Sequence, residues 1–216
     1  MQRRCRAVLY RHFAMPRPRP LDPVHLDLRN KLRRLAWGLT WSLLYRPSPI
    51  LLHAWRRFLL RCFGAEIGRG AHPYPSARIW APWNLRMAEH SCLGKGVDCY
   101  CVAPVTLGPH ATVSQYSFLC TASHDYRDPA MPLVAAPIVL EAEVWVAADV
   151  FVGPGVTVRT GAVIGARSTL LADAPAWTVM AGSPAQARGA RPAFVRAPAA
   201  QHPAAAPARL GESGGP

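Results

Sequence analysis

Lysine is nearly missing from this 216-residue chain: Lys31 and Lys95 are the only two, so the formal net charge of +13 rests on arginine, much of it in the first 70 residues. Such a surface attracts phospholipid, nucleic acid or a phosphorylated cofactor without choosing among them. No recognition helix, RNA-binding strand motif or zinc-finger spacing accompanies the charge, so nucleic acid is not an expected partner. The cysteines Cys5, Cys62, Cys92, Cys99, Cys101 and Cys120 form no CxxC pair and no spacing typical of secreted disulfides. Reduced thiols in a cytoplasmic protein are therefore expected. With no histidine at ligand spacing to Cys99 and Cys101, no metal is expected either. The N-terminus lacks the apolar core of a signal peptide and reads, over 1–25, as a basic, proline-broken, disordered tail. No apolar run spans a bilayer, because Arg46, Pro47 and Pro49 divide the apolar part of the leader into two short segments.

What the chain does have is a period of six. Leu140, Val146, Val152, Val158, Ile164 and Leu170 lead successive hexads, and Val144, Val150, Val156, Ala162 and Ser168 follow four residues into each. Neither a helix, with 3.6 residues per turn, nor an ordinary strand, with 2, keeps such a period. A parallel β-helix does, since each hexad makes one short strand and a corner and three hexads close a triangular coil. Val146 should then stack on Ile164 and Val152 on Leu170. The phase runs back through Leu107, Val113 and Leu119, through Met87, Leu93 and Cys99 after a two-residue offset, and more loosely through Ile67, Pro73 and Ile79. The reading is a mainly β chain whose β-helix occupies 66–188. An insert over 120–139 interrupts it and carries Ser123-His124-Asp125, and a loop thrown out of a rigid coil is where function concentrates.

Residues 26–65 read as an amphipathic helical leader. Leu28, Leu32, Leu35, Leu39 and Leu43 share one helical face; Leu51, Trp55, Phe58 and Cys62 share another, with Gly64 as a stop. The favoured expectation is that these faces cap the open end of the coil. Contact with an anionic inner-membrane surface is the alternative, and both can hold. The stretch 189–216, dominated by Ala, Pro and Gly, reads as a disordered tail.

The ordered set APVTLG (103–108), LCTASHDYRDP (119–129), API (136–138), VWVAADVFVGPGVTV (144–158) and PAWTVMAGSPAQ (175–186) resembles the left-handed β-helix, hexapeptide-repeat acyltransferases. Within them the likeness is to the colanic acid biosynthesis acetyltransferase type, from Leu26 to Gln186. The resemblance implies the coil's hand, acetyl-CoA as donor, and direct attack by the acceptor with no covalent enzyme intermediate. It makes His124 the general base, a role that suits an imidazole titrating near neutral pH. His53, His72, His90 and His110 lack that motif context. It implies a donor groove at Trp145, Ala147, Ala148, Ala166 and Gly182, near Pro184, with Arg167, Arg188 and Arg191 toward the phosphates. Acceptor contacts fall to Tyr100, Cys101 and Asp125, although many relatives carry Asn where Cys101 stands. Ser183 and Gln186 also depart from the family pattern.

The implied activity is O-acetylation of a sugar hydroxyl in exopolysaccharide or cell-surface glycan synthesis. The acceptor would be a sugar or a lipid-linked or nucleotide-linked saccharide, and the assembly a homotrimer with sites at subunit boundaries. The alternatives are N-acetylation of an amino sugar or small metabolite on the same scaffold, a metal-dependent hydratase, which needs three converging histidines, and a non-catalytic assembly scaffold.

Overall fold

Each hexad becomes a strand of two or three residues and a corner, and the strands stack in parallel into three faces in the computed structural model, which describes residues 21–24 and 26–192. The first face carries Glu66–Ile67, Leu85–Met87, Val105–Leu107, Ile138–Leu140 and Thr157–Val158. The second starts at His72–Pro73 and ends in the antiparallel pair Thr178–Gly182 and Ala185–Ala190. The third carries Arg78–Ile79, Asp98–Tyr100, Phe118–Cys120, Phe151–Val152 and Thr169–Leu170. Leading aliphatics point inward, with Leu107, Val113, Leu119, Leu140, Val146, Val152, Val158 and Ile164 fully buried. Val146 pairs with Ile164 and Val152 with Leu170, the stacking that period six requires.

The chain visits the faces in the order first, second, third. Early turns take 20 residues, from Ile67 to Met87 to Leu107, and later ones 18, from Leu140 to Val158. The additional residues fall on the edge between the third face and the next first face. That edge holds the 3-10 turn Pro82–Asn84, the segment 102–104 and the 120–139 insert. Hydrogen bonds knit it together: Asn84 Nδ2 donates to the carbonyls of Cys101 (3.1 Å) and Val102 (2.7 Å), and Thr121 Oγ1 donates to Tyr100 (2.8 Å) while accepting from Ala103 (3.0 Å).

Two helices close the N-terminal end. Helix α1 (Leu28–Thr40) starts where the Asp27 carboxylate accepts from the Asn30 amide at 2.7 Å, and runs on through a π-helical turn, Trp41–Tyr45. Helix α2 (His53–Cys62) stops at Gly64, whose φ of +89° suits glycine. The helices cap the coil as expected, but with a different face. Leu28, Leu32, Leu35, Leu39 and Leu43 are between 57 and 71 % exposed, whereas Trp37, Tyr45, Leu59 and Leu60 are buried in the main core. On α2 the predicted inner residues Trp55, Phe58 and Cys62 are likewise exposed, as is Leu51 just ahead of it.

The reason lies in the backbone. At one set of positions in each coil the amide donates to a carbonyl of the following coil, as His72 does to Ser91 and Trp80 to Cys99. The matching carbonyls of the first coil, at Ile67, Ala71, Pro73, Ala77 and Ile79, have no coil beneath them, and buried carbonyls need donors. The leader supplies all five from side chains. Arg61 Nη2 donates to Ile67 (2.6 Å), Arg57 Nη1 to Ala71 (2.9 Å), Arg56 Nε to Pro73 (2.7 Å), Trp41 Nε1 to Ala77 (3.0 Å) and Trp37 Nε1 to Ile79 (2.6 Å). Leucine has nothing to donate, so tryptophan and arginine take the inner face.

The boundaries shift slightly from the sequence reading. Asp22–Pro23, within the segment read as a tail, pairs antiparallel with Leu133–Ala135, and the strand Ala185–Ala190 carries regular structure past 188. Residues 1–20 and 193–216 lie outside the described residues.

Candidate active site

The insert is an ordered arm. Ala122–His124 pairs antiparallel with Leu133–Ala135, and Ala122 and Ala135 seat the hairpin on Val102, Trp80 and Tyr100. Its turn is held by carboxylates: Asp125 accepts from the Arg127 amide (3.1 Å) and Nε (2.9 Å), and Asp128 accepts from the Ala130 amide (2.8 Å). Met131 takes a left-handed φ of +47°, and its carbonyl lies 2.6 Å from Nδ1 of the exposed His124. A carbonyl only accepts, so Nδ1 carries the proton and Nε2 presents its lone pair to solvent. That is the tautomer a general base requires. Met131 left no signal in the sequence, because any residue has a carbonyl.

The proposed acceptor residues fare differently. Tyr100 is half-buried under the arm, its ring 5.4 Å from Trp80 and 6.4 Å from Phe118. The Asp125 carboxylate is turned toward Arg127, whose hydrogen bonds hold it below the usual carboxylate range, and it shapes the loop. Cys101 is a correction: it is fully buried, its Sγ 3.3 Å from both the amide and the carbonyl of Ala81. Alternation along the strand sends Cys99 and Cys101 inward and Asp98 and Tyr100 outward, so the thiol belongs to the wall and meets no acceptor.

Beside the arm, a groove of about 670 Å³ separates α1 from the third face; Lys31, Arg34, Arg78, Trp80 and Asp98 contribute to its lining. Burial raises the Asp98 pKa and Arg78, 3.7 Å away, opposes the rise. In the sequence Lys31 and Arg34 stood out only as part of the basic leader, and Arg78, Trp80 and Asp98 carried no signal of a site. Trp80 belongs both to the groove and to the arm's seat.

The residues expected to bind the donor sit on another edge, between the second and third faces. Ala148, Ala166 and Gly182 climb it coil by coil: the Arg167 amide donates to Ala148 (3.0 Å) and the Gly182 amide to Ser168 Oγ (3.1 Å). Among the described residues neither the Ala148 nor the Ala166 amide donates a hydrogen bond, and methyl side chains leave both open. Two free amides one coil apart, about 4.8 Å, suit an extended ligand that itself carries amide carbonyls. Gly182 has φ +109°, and a Cβ there would come within 3.2 Å of the Arg188 guanidinium, which places these two predicted residues together. Trp145 is half-exposed on the second face, its Nε1 donating to Ser114 Oγ at 3.0 Å.

Two donor assignments need correction. Ala147 is buried, its amide donating to Ile164 and its carbonyl accepting from Ser117 Oγ, so its backbone is committed to the coil. Arg191 donates to the carbonyls of Glu143 (2.9 Å) and Gly161 (2.8 Å) on the edge between the first and second faces, and is an anchor away from the donor edge.

His124 and the residues expected to bind the donor therefore occupy different edges, with the third face between them. No hydrogen bond or ring contact among the described residues joins His124 to Trp145, Ala148, Ala166 or Gly182. Nor does any group of three His, Cys, Asp or Glu among them have the placement to hold a metal ion.

No protein-family model matches the chain. WcaF of Escherichia coli K12, named for acetyl transfer in colanic acid biosynthesis, is 40% identical over 156 residues, covering 72% of this chain and 86% of its own. A hexapeptide-repeat acetyltransferase of Vibrio cholerae, solved with acetyl-CoA, superposes with a TM-score of 0.71 at 27% identity, over 80% of this chain and 96% of its own. A maltose O-acetyltransferase of Clostridium difficile shares the fold, with a TM-score of 0.68 at 18% identity over 80% of this chain and 94% of its own. Identity of this level over most of the first relative, on the coil that period six predicts, means that the chain belongs to the left-handed β-helix, hexapeptide-repeat acetyltransferases of the colanic acid biosynthesis type.

Proposed function

We propose that this protein transfers the acetyl group of acetyl-CoA to a sugar hydroxyl in exopolysaccharide or cell-surface glycan synthesis, in the cytoplasm, with a free, nucleotide-linked or lipid-linked saccharide as acceptor. One observation carries the reading: His124 donates through Nδ1 to the Met131 carbonyl at 2.6 Å and keeps Nε2 free. Acetyl-CoA supplies the acetyl group as a thioester. His124 Nε2 takes the hydroxyl proton as the sugar oxygen bonds to the acyl carbon, then returns it to the sulfur as the C–S bond breaks. An acetyl ester and a free thiol result, and the imidazole ends neutral. While it is protonated, the Met131 carbonyl stabilises it. The open Ala148 and Ala166 amides suit the pantetheine arm, and Arg188 its phosphates, as a charge-assisted pair. Trp145 flanks that track. Tyr100 and Trp80 offer aromatic faces to a sugar beside the groove.

His124→Ala should lower turnover about 10²–10⁴-fold, the worth of a positioned base, with melting temperature and CoA affinity unchanged. His124→Asn should be nearly as damaging. His110→Ala, at a residue whose ring stacks on His90 with centroids 5.2 Å apart, serves as the control. Full activity of His124→Ala would refute the mechanism, and comparing hydroxyl with amine acceptors separates O- from N-transfer.

The separation of base and donor edges supports a homotrimer in which His124 of one copy meets the donor edge of the next. Co-expressing His124→Ala with Ala166→Phe, each inactive alone, should restore part of the activity in mixed assemblies. No recovery, or an active monomer in light scattering, argues against it.

A further inference from the structure

We propose that the outward face of the two leader helices docks on an anionic lipid bilayer surface. The inner face of α1 and the π-helical turn that continues it is Trp37, Trp41 and Tyr45; opposite Trp37, about 180° around α1 at 100° per residue, run Leu28, Leu32, Leu35 and Leu39, followed by Leu43 on the turn, all at least 57 % exposed. The stripe continues onto α2: Trp55 Nε1 donates to the Leu44 carbonyl at 3.0 Å and its ring stacks on Phe58 at 5.7 Å, both rings partly in solvent, with Leu51 90% exposed alongside. A contiguous apolar face on two helices marks an interaction site.

Charge selects the occupant. Residues 28–65 contain eight Arg and Lys and no Asp or Glu. Arg56, Arg57 and Arg61 are committed to first-coil carbonyls, but exposed Arg29 and Lys31 lie one helical step to either side of the leucine stripe. A second copy placed on this face would bring cation against cation with no acid to answer it. Anionic headgroups over acyl chains match both the rim and the stripe, as in interfacial helices. No helix among the described residues is long and apolar enough to cross a membrane, so the contact is lateral. Lys31, Leu35 and Leu39 also border the large groove, so docking sets its mouth at headgroup level. The inference does not depend on acetyl transfer, and each can fail alone.

The full chain is sedimented with vesicles of phosphatidylglycerol and phosphatidylcholine, and with phosphatidylcholine alone, at low and high salt. Binding should favour the anionic vesicles and weaken with salt. Leu32, Leu35, Leu39 and Leu43, all changed to Gln, keep every charge, including those of residues 1–20, and should lower anionic-vesicle binding at least about tenfold. Melting temperature and oligomer mass should not move, since these side chains lie outside the core. Equal binding to both vesicles, or wild-type binding by the quadruple variant, overturns the proposal. So does an assembly in solution that the quadruple variant disperses while vesicle binding is nil, since a second copy would then be the occupant.

Discussion

Trp37 and Trp41 do for the first coil what backbone amides do higher up. Trp37→Phe keeps a ring in the core and removes the donor to a buried carbonyl, which should cost about 1–3 kcal/mol. Trp41→Phe removes a donor at a half-exposed site, where water can substitute, and should cost about 0.5–1.5 kcal/mol. Urea unfolding measures both, and the reverse order would sink this account of the cap. Arg56 is the cap's other anchor. It is fully buried, and besides Pro73 its guanidinium donates to Ser48 Oγ and the carbonyls of Pro49 and Ile50 and lies 3.1 Å from His53 Nδ1, with no carboxylate among these partners. His53 Nδ1 also lies 3.3 Å from the Pro73 carbonyl, and burial together with the neighbouring guanidinium lowers its pKa from 6.5. The unfolded chain therefore takes up this proton first, and stability should fall as pH drops through about 6.5. His53→Asn keeps an acceptor and removes the titration, so the difference between the two stability–pH curves should show the loss; parallel curves would contradict it.

At the scale of the element, the coil was legible and the orientation of its cap was not. Period six is peculiar to a β-helix, and every leading aliphatic from Ile67 to Leu170 takes its expected inward place. On α1, by contrast, the leucines and the series Trp37, Trp41 and Tyr45 share helical spacing, so apolar periodicity favours leucine. What decides is a row of carbonyls, a backbone feature without trace in the leader's own residues. The motif that singles out His124 lies on the exposed arm, while Cys101 was misplaced because a resemblance supplies position and strand alternation supplies direction. Two elements near the site invite tests. Asp125→Ala frees the arm's turn from Arg127, so turnover should fall by less than on loss of His124, with the Michaelis constant for acetyl-CoA unchanged. Gly182→Ala forces a side chain into φ +109° against Arg188, which should cost about 1–3 kcal/mol and raise that constant. If only stability moved, Gly182 would not belong to the donor track.

Across the whole molecule, residues have been added along one edge of the prism and kept small along another, so a long arm and a smooth track coexist on one rigid rod. The rod also has direction. Its lower end faces outward with carbonyls and is closed by donors from Arg and Trp; toward the upper end a carboxylate joins the closure, Asp173 accepting from the Thr157 amide at 2.8 Å. The two ends are therefore complementary where it matters: the lower one exposes this row of carbonyls and the upper one amides such as that of Thr157, at the spacing of stacked strands. Stripped of its leader, the bottom of one rod would fit the top of another, a head-to-tail contact that never closes and grows into a filament. A chain reduced to residues 66–192 should show rods of one-coil width by electron microscopy, where the full chain shows separate particles. The arginines and tryptophans of α1 and α2 are, on this view, a stop signal for polymerisation, and mutations that loosen them should give fibres before they give unfolded protein.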